Sequence, residues 1–396
     1  MEQAGQQRIV KAEDVAVMGF TEILQHIPHI YASYRKLVAS IRRNRPDVAV
    51  LIDFPDINFR LAKHLRRAGV PVVWFVSPQL WAWKRGRLRL VQERVDKMLV
   101  IFPFEESFYR ERGVDAEFVG HPLAATALLS TSREAYAAQH RLDPAKTWIA
   151  LLPGSRWKEI RANLPALHEL AMSDLITSSA AYTMFDGDTT VQPTDPAAHT
   201  RYEFLLPVAS TIDAGALQQY IGELNAEHLK YFGPEASSLR LTLVPDAPEA
   251  LFHARASVVA SGTATVLAAI VGNPFVVVYR VSALTFALAK KLIEYPEEVS
   301  ATEDEAGNLP VAMVNLIAGR RIVPELLQER FTAANVASEL GALLAEGPER
   351  EAQIAALAEV RSRLLEASST DGSPVGSPIG RVAEAVLTLL EGSDAR

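Results

Sequence analysis

Short apolar runs alternate along this chain with segments whose apolar residues recur every three or four positions. The first 47 residues are amphipathic and mostly helical in pattern, with Ile30, Tyr34, Leu37 and Ile41 at helical spacing. Val48 to Ile52, Val70 to Val76, Met98 to Phe102 and Glu117 to Val119 then read as strands, each followed by a turn. Asp53 ends the first of them, and Pro55 breaks the run before a helix marked by Ile57, Leu61 and Leu65. A second series begins with Ile149 to Leu152 and resumes at Tyr202 to Val208, Leu241 to Val244, Ser257 to Val259 and Phe275 to Tyr279. Helices alone are expected after Pro324, followed by the linker SSTDGSPVGSPIG and a last helix from Arg381 to Leu390. Strands alternating with helices predict an α/β protein with doubly wound sheets.

The pattern divides the chain into a domain over 1–145 and a second over 146–367, then a linker at 368–380 and a C-terminal helix at 381–396. Residues 174–201 are polar, rich in Thr, Asp and Pro, and without periodicity, so they read as a surface insertion in the second domain. The N-terminal domain is expected to be incomplete. Nothing before Val48 supplies the buried strand and glycine-bearing turn with which such a sheet opens.

Chemistry concentrates at two strand-to-helix turns. In WIALLPGSRWKEI, Gly154 lets a ligand approach the backbone, Ser155 offers a hydroxyl and an N–H, and Arg156 adds a planar fork suited to phosphate. This is either a diphosphate cradle or an ordinary loop with a solvated arginine. In VVASGTATVLAAIVGNP, Ser261, Gly262 and Thr263 open a helix whose first N–H groups and dipole favour an anion. The two turns are expected side by side at the C-terminal edge of one sheet.

Composition narrows the remaining classes. The chain has 396 residues and no cysteine, which excludes disulfides, thiolate metal sites and a cysteine nucleophile. Its nine histidines show no metal-ligand spacing, so no metal and no cofactor are expected. No apolar run approaches the ~20 residues that span a bilayer, and the N-terminus is too polar for a signal peptide, which predicts a cytoplasmic protein. The net charge of −7 is uneven: residues 1–100 carry 17 Lys and Arg against 9 Asp and Glu. Basic residues gather at Arg35, Lys36, Arg42, Arg43 and Arg45, and again at Lys84, Arg85, Arg87 and Arg89 beside Trp81 and Trp83. Cations interleaved with tryptophan suit an anionic membrane surface. Solvated helix faces are the alternative. No nucleic acid partner is expected, because no binding motif accompanies the charge.

Taken in order, VMGFTEIL, PDVAVLIDFPDINF, VSPQLWAWKRGR, FPFEESFY, FVGHP, LLPGSR, ASGTAT, VVVYRVS and NLIAGRRIVPELLQ resemble the lipid-A-disaccharide synthase family. The resemblance implies two Rossmann-like domains in the GT-B arrangement and an inverting glycosyltransferase. It would join UDP-2,3-diacylglucosamine to 2,3-diacylglucosamine 1-phosphate, releasing UDP at the cytoplasmic face of the inner membrane. Separately, the linker before the last helix would permit exchange of that helix between subunits, so a homodimer is one option. Asp53 then falls in an IDxPDFN-like motif and is the expected base, while Asp56 is better placed to cap the helix. Arg156, Ser261 and Thr263 are expected on the diphosphate, and Asn315, Arg320 and Arg321 on the donor. His121 is expected to shape the cleft between the domains, and Tyr279 and Arg280 are as compatible with structural as with functional roles. Two departures matter: the family's GEASGD-type loop is absent, and Leu267 stands where the family carries a glutamate suited to the ribose hydroxyls. A truncated, catalytically silent chain that binds UDP weakly or not at all is the competing expectation.

Overall fold

A computed structural model describes residues 5, 7–10, 20–125, 131–172, 201–232, 241–365 and 376–394. The insertion over 174–201, apart from Arg201, and residues 368–375 of the linker lie outside the described residues. The chain divides into two units, one formed by Met1–Pro122 with Ala367–Arg396 and the other by Leu123–Glu366.

The first unit begins with α1 (Phe20–Arg43) and continues through β1 (Ala49–Ile52), α2 (Pro55–Arg67), β2 (Val72–Phe75), α3 (Leu88–Arg94), β3 (Lys97–Val100), α4 (Pro103–Arg110) and β4 (Ala116–Phe118). The four strands are parallel in the order β1-β2-β3-β4. β2 reads VVWF and is buried at every position, as a strand covered on both faces requires. Among the described residues β1 lies at the edge, where Val50 and Ile52 are 39% and 43% exposed.

The second unit runs α5 (Arg133–His140), β5 (Thr147–Leu152), α6 (Trp157–Met172), β6 (Tyr202–Pro207), α7 (Ala214–Phe232), β7 (Leu241–Val244), α8 (Ala247–His253), β8 (Ala256–Ala260), α9 (Thr263–Val271) and β9 (Phe275–Tyr279). It closes with α10 (Ala283–Leu292), α11 (Met313–Ala318), β10 (Glu325–Leu327), α12 (Ala333–Leu344) and α13 (Pro348–Leu365). Six parallel strands stand in the order β10-β9-β8-β5-β6-β7. This is the Rossmann order, whose switch point lies between β5 and β8. Ile149, Leu151, Val258, Val276 and Val278 pack from the sheet against Leu164, Leu167, Leu170 and Leu340 in one core.

Three expectations change. The segment after Pro324 is not helical throughout: Glu325–Leu327 adds β10 beside β9, with Leu326 opposite Val278. The helix α5, which pattern alone places with the first domain, packs in the second, where Arg133 donates to the carbonyls of His253 and Lys146 and stacks on Trp148. The last helix, α14 (Pro378–Asp394), belongs to the first unit. There Arg381 is buried and its Nε donates to the Val119 carbonyl at 2.7 Å.

Candidate functional site

The turns after β5 and β8 lie side by side, as expected, because their strands are hydrogen-bonded neighbours from Ile149–Ala256 to Leu152–Val259. Together they line a cavity of about 450 Å³ that includes Gly154, Ser155, Arg156, Ser261, Gly262, Thr263 and Ala264. Val208 to Ser210 after β6, and Asp246 after β7, complete its wall. The PGSR loop is tied down by its carbonyls: buried Asn163 donates to Pro153 at 2.8 Å, and the Thr211 hydroxyl donates to Ser155. Gly262 precedes α9 at φ 145 and no side chain caps the helix; the Thr265 N–H turns back to the Gly262 carbonyl at 3.1 Å, which leaves those of Thr263 and Ala264, both in the cavity lining, without a side-chain acceptor.

Not every residue assigned to the diphosphate is equipped for it. Ser261 gives its N–H to Val278 at 3.0 Å and its hydroxyl to Val311 at 3.1 Å, so both of its donors are engaged inside the protein. Thr263, exposed at the first position of α9, is the hydroxyl that remains on the SGT turn. Arg156 is about half exposed and pairs with Glu159 at 3.0 Å. The charged lining is therefore one arginine against two carboxylates, Glu159 and Asp246. Neither acid stands out in the sequence. Their signal is positional, since each follows a strand that ends at the switch-point edge.

Asn315, Arg320 and Arg321 are not brought to this cavity. Asn315 is buried, its amide donating to Val323 and Glu325 and its oxygen accepting from the N–H groups of Ile322 and Val323. All of its hydrogen-bonding capacity is used inside the protein. Arg321 pairs with buried Glu325 at 2.9 Å and donates to the Asn308 carbonyl, while Arg320 pairs with Glu359 of α13 at 2.8 Å. Arg321 thus pins the loop before α11, Asn315 the turn after it, and Arg320 ties that turn to α13. Arg280 likewise stacks on Phe331 and donates to its carbonyl. Leu267 is half-buried one turn into α9 and is not among the lining residues.

In the first unit Asp53 is exposed at the end of β1 in a rarely adopted conformation, since both Asp53 and Phe54 have φ 46. Left-handed backbone at two consecutive residues with side chains holds roughly 1–3 kcal/mol of strain apiece and persists only under outside constraint. Asn58 supplies that constraint, its Nδ2 donating to the carbonyls of Ile52 at 3.1 Å and Asp53 at 2.6 Å. The expected capping by Asp56 does not occur: α2 has no side-chain cap, and Asp56 pairs instead with Arg87 at 2.8 Å.

The tryptophan loop is corrected in the same way. Trp81 cannot meet a membrane, because it is only 2% exposed and its Nε1 donates to buried Glu105 at 3.0 Å. Trp83 is 48% exposed, with the Lys84 ammonium 3.9 Å from its ring centroid. Arg87 and Arg89 are held in surface ion pairs with Asp56 and Glu93. Glu105 also accepts from Ser77 at 2.7 Å and from the Phe102 N–H at 3.2 Å, yet burial outweighs these donors and pushes its carboxyl up to about 7. His121 is buried beside Phe102, and burial pushes it down to about 4, so it is neutral at neutral pH.

Fold and cavity together define a two-unit, Rossmann-like α/β chain with a glycine-turn site at the switch point of its six-stranded sheet. A crystal structure of a Listeria monocytogenes protein assigned as a UDP-N-acetylglucosamine 2-epimerase shares this fold, with a TM-score of 0.50 at 10% identity over 98% of this chain and 83% of that one. The lipid-A-disaccharide synthase of Acidobacterium capsulatum is 47% identical over 98% of this chain and 87% of that protein. That of Koribacter versatilis is 44% identical over 100% of this chain and 89% of that protein. With residues 1–181 and 226–371 matching the family profile of lipid-A-disaccharide synthetase, the chain belongs to that family and is a glycosyltransferase of lipid A synthesis. Among the described residues no helix is long and apolar enough to cross a membrane.

Proposed function

We propose that the chain transfers 2,3-diacylglucosamine from its UDP derivative to the 6-hydroxyl of 2,3-diacylglucosamine 1-phosphate. Inversion gives a β-linked disaccharide 1-phosphate and UDP. The observation that carries this reading is the pairing of the PGSR and SGT turns around one cavity at the switch point. Asp53 takes the proton of the attacking hydroxyl as its oxygen bonds to the anomeric carbon. The bond from that carbon to the diphosphate breaks, and the leaving charge is met by Arg156, the Ser155 N–H, and the α9 N-terminus at Gly262 and Thr263. Asn315 and Arg321 support this edge from behind rather than touching the donor.

Acylated substrates require work at a lipid surface, since each CH₂ exposed to water costs about 0.8 kcal/mol. Trp83, Lys84, Arg85 and Arg89 are exposed in the tryptophan loop, Arg89 within its pair to Glu93. A second basic face supports the same contact: Arg35, Lys36, Arg42 and Arg43 line an open groove of about 800 Å³ with Tyr31 and Tyr34. The reaction is tested by incubating the chain with both acylated sugars and resolving the products by mass spectrometry. Disaccharide 1-phosphate with stoichiometric UDP is expected, whereas hydrolysis of the donor without transfer would sink the reading. For the site, Arg156→Ala should lower UDP affinity by about 10-fold or more, as loss of a charge-assisted contact does.

A further inference from the structure

The diphosphate site has a carboxylate of its own. Glu159 stands at the third position of α6 and folds back over the PGSR loop. Its Oε2 accepts the Ser155 N–H at 2.9 Å, and its Oε1 accepts from Arg156 Nη1 at 3.0 Å. Both are donors that the PGSR side of the cavity offers to a phosphate. Gly154 makes this pose possible, because a Cβ there would stand 2.5 Å from Glu159 Cβ and 2.6 Å from its Oε2. At φ 132 the loop also requires glycine for its backbone. The glycine of PGSR thus leaves room for an internal anion.

We infer that Glu159 competes with the ligand diphosphate for Ser155 and Arg156, and so sets the affinity for UDP and the ease of its release. The inference rests on the diphosphate reading of this cavity. One N–H cannot serve two anions well and neighbouring negative groups repel, so a diphosphate that takes the Ser155 N–H and Arg156 Nη1 swings Glu159 outward. The contact it gives up is inexpensive, because the Arg156–Glu159 pair has side-chain exposures of 55% and 37% and surface pairs are weak. Every anion meets the same toll. A nucleotide anchored also through its sugar and base still binds, whereas small anions with no further contacts fall below saturation, and product UDP leaves faster.

A purely structural role for Glu159, as the acid that caps α6, uses the same hydrogen bond but makes a different forecast. Glu159→Ala and Glu159→Gln, each in the full chain, are titrated calorimetrically with UDP and with inorganic diphosphate. Competition predicts that the alanine variant binds both ligands roughly 3- to 10-fold more tightly, even as its melting temperature falls for want of the cap. The glutamine variant keeps an acceptor for Ser155 but loses the charge, and tightens less. UDP binding to both variants that is equal to or weaker than wild type, with Arg156→Ala still impaired, overturns the competition and leaves the diphosphate site standing. UDP binding indifferent to Arg156→Ala and to both Glu159 variants overturns the site and the inference together.

Discussion

Replacing Glu105 by glutamine should flatten the pH dependence of stability in the first unit. The wild-type carboxyl lies at about 7 in the fold against an ordinary value of 4.5, because its burial outweighs the donors Ser77, Trp81 and Phe102. A raised folded value means that the native state holds a proton which the unfolded chain has released. The stabilisation is therefore complete below pH 4.5 and is lost as the pH rises through 7. A gap of that size corresponds to roughly 3 kcal/mol between the two limits. Glutamine does not titrate, but its amide nitrogen cannot accept the Phe102 N–H that Oε2 accepts, which costs about 1 kcal/mol at every pH. Glu105→Gln should thus be less stable than wild type by about 1 kcal/mol at about pH 3.5, nearly equal to it at about pH 5, and more stable by about 2 kcal/mol at about pH 8. Urea unfolding followed by tryptophan fluorescence across this range gives both curves. Curves that run parallel, with no crossing, would show that Glu105 does not change charge in the fold.

Three further outcomes are expected. Asp53→Asn should lower turnover by about 10²-fold or more with UDP affinity nearly unchanged, and wild-type turnover would remove Asp53 from the mechanism. Leu267→Glu should tighten UDP binding measured by calorimetry if the first turns of α9 run along the ribose; weaker binding would mean that the half-buried leucine belongs to the packing. The chain should sediment with anionic vesicles at low salt, with each basic residue near the surface contributing about 1 kcal/mol. Serine at Lys84, Arg85, Arg35 and Lys36 should release it, and binding that ignored both salt and these changes would place the contact elsewhere.

The sheets were legible because parallel strands announce themselves as short apolar runs: Leu241–Val244 and Phe275–Tyr279 match the observed strands residue for residue. β10 was not legible. Its three residues sit in PELLQ, which suits a helix equally well, and only pairing with β9 makes them a strand. The two glycine turns could be found because Gly154, Gly262 and Arg156 carry their chemistry in their own residue types. The fate of Asn315, Arg321 and Trp81 could not, since an amide, a guanidinium or an indole looks the same in sequence whether it faces a ligand or buried Glu325 and Glu105. Glu159 shows the converse. An acid at the start of a helix reads as a routine cap until its distance to Gly154 is known.

The first unit is assembled from both ends of the chain, with α14 contributing Arg381 to the Val119 carbonyl. On the ribosome this imposes a delay. Some 260 residues separate Val119 from Arg381, which at typical elongation rates is roughly 10 to 50 seconds of synthesis. During that interval β1 to β4 have been made, but the helix that lines a cavity together with Pro71, Lys97 and Glu117 has not. The second unit, continuous from 123 to 366, has all of its strands before α14 emerges. The nascent chain therefore closes its later unit first, and the earlier sheet, with Val50 and Ile52 on its edge, is the part most in need of a chaperone while translation finishes.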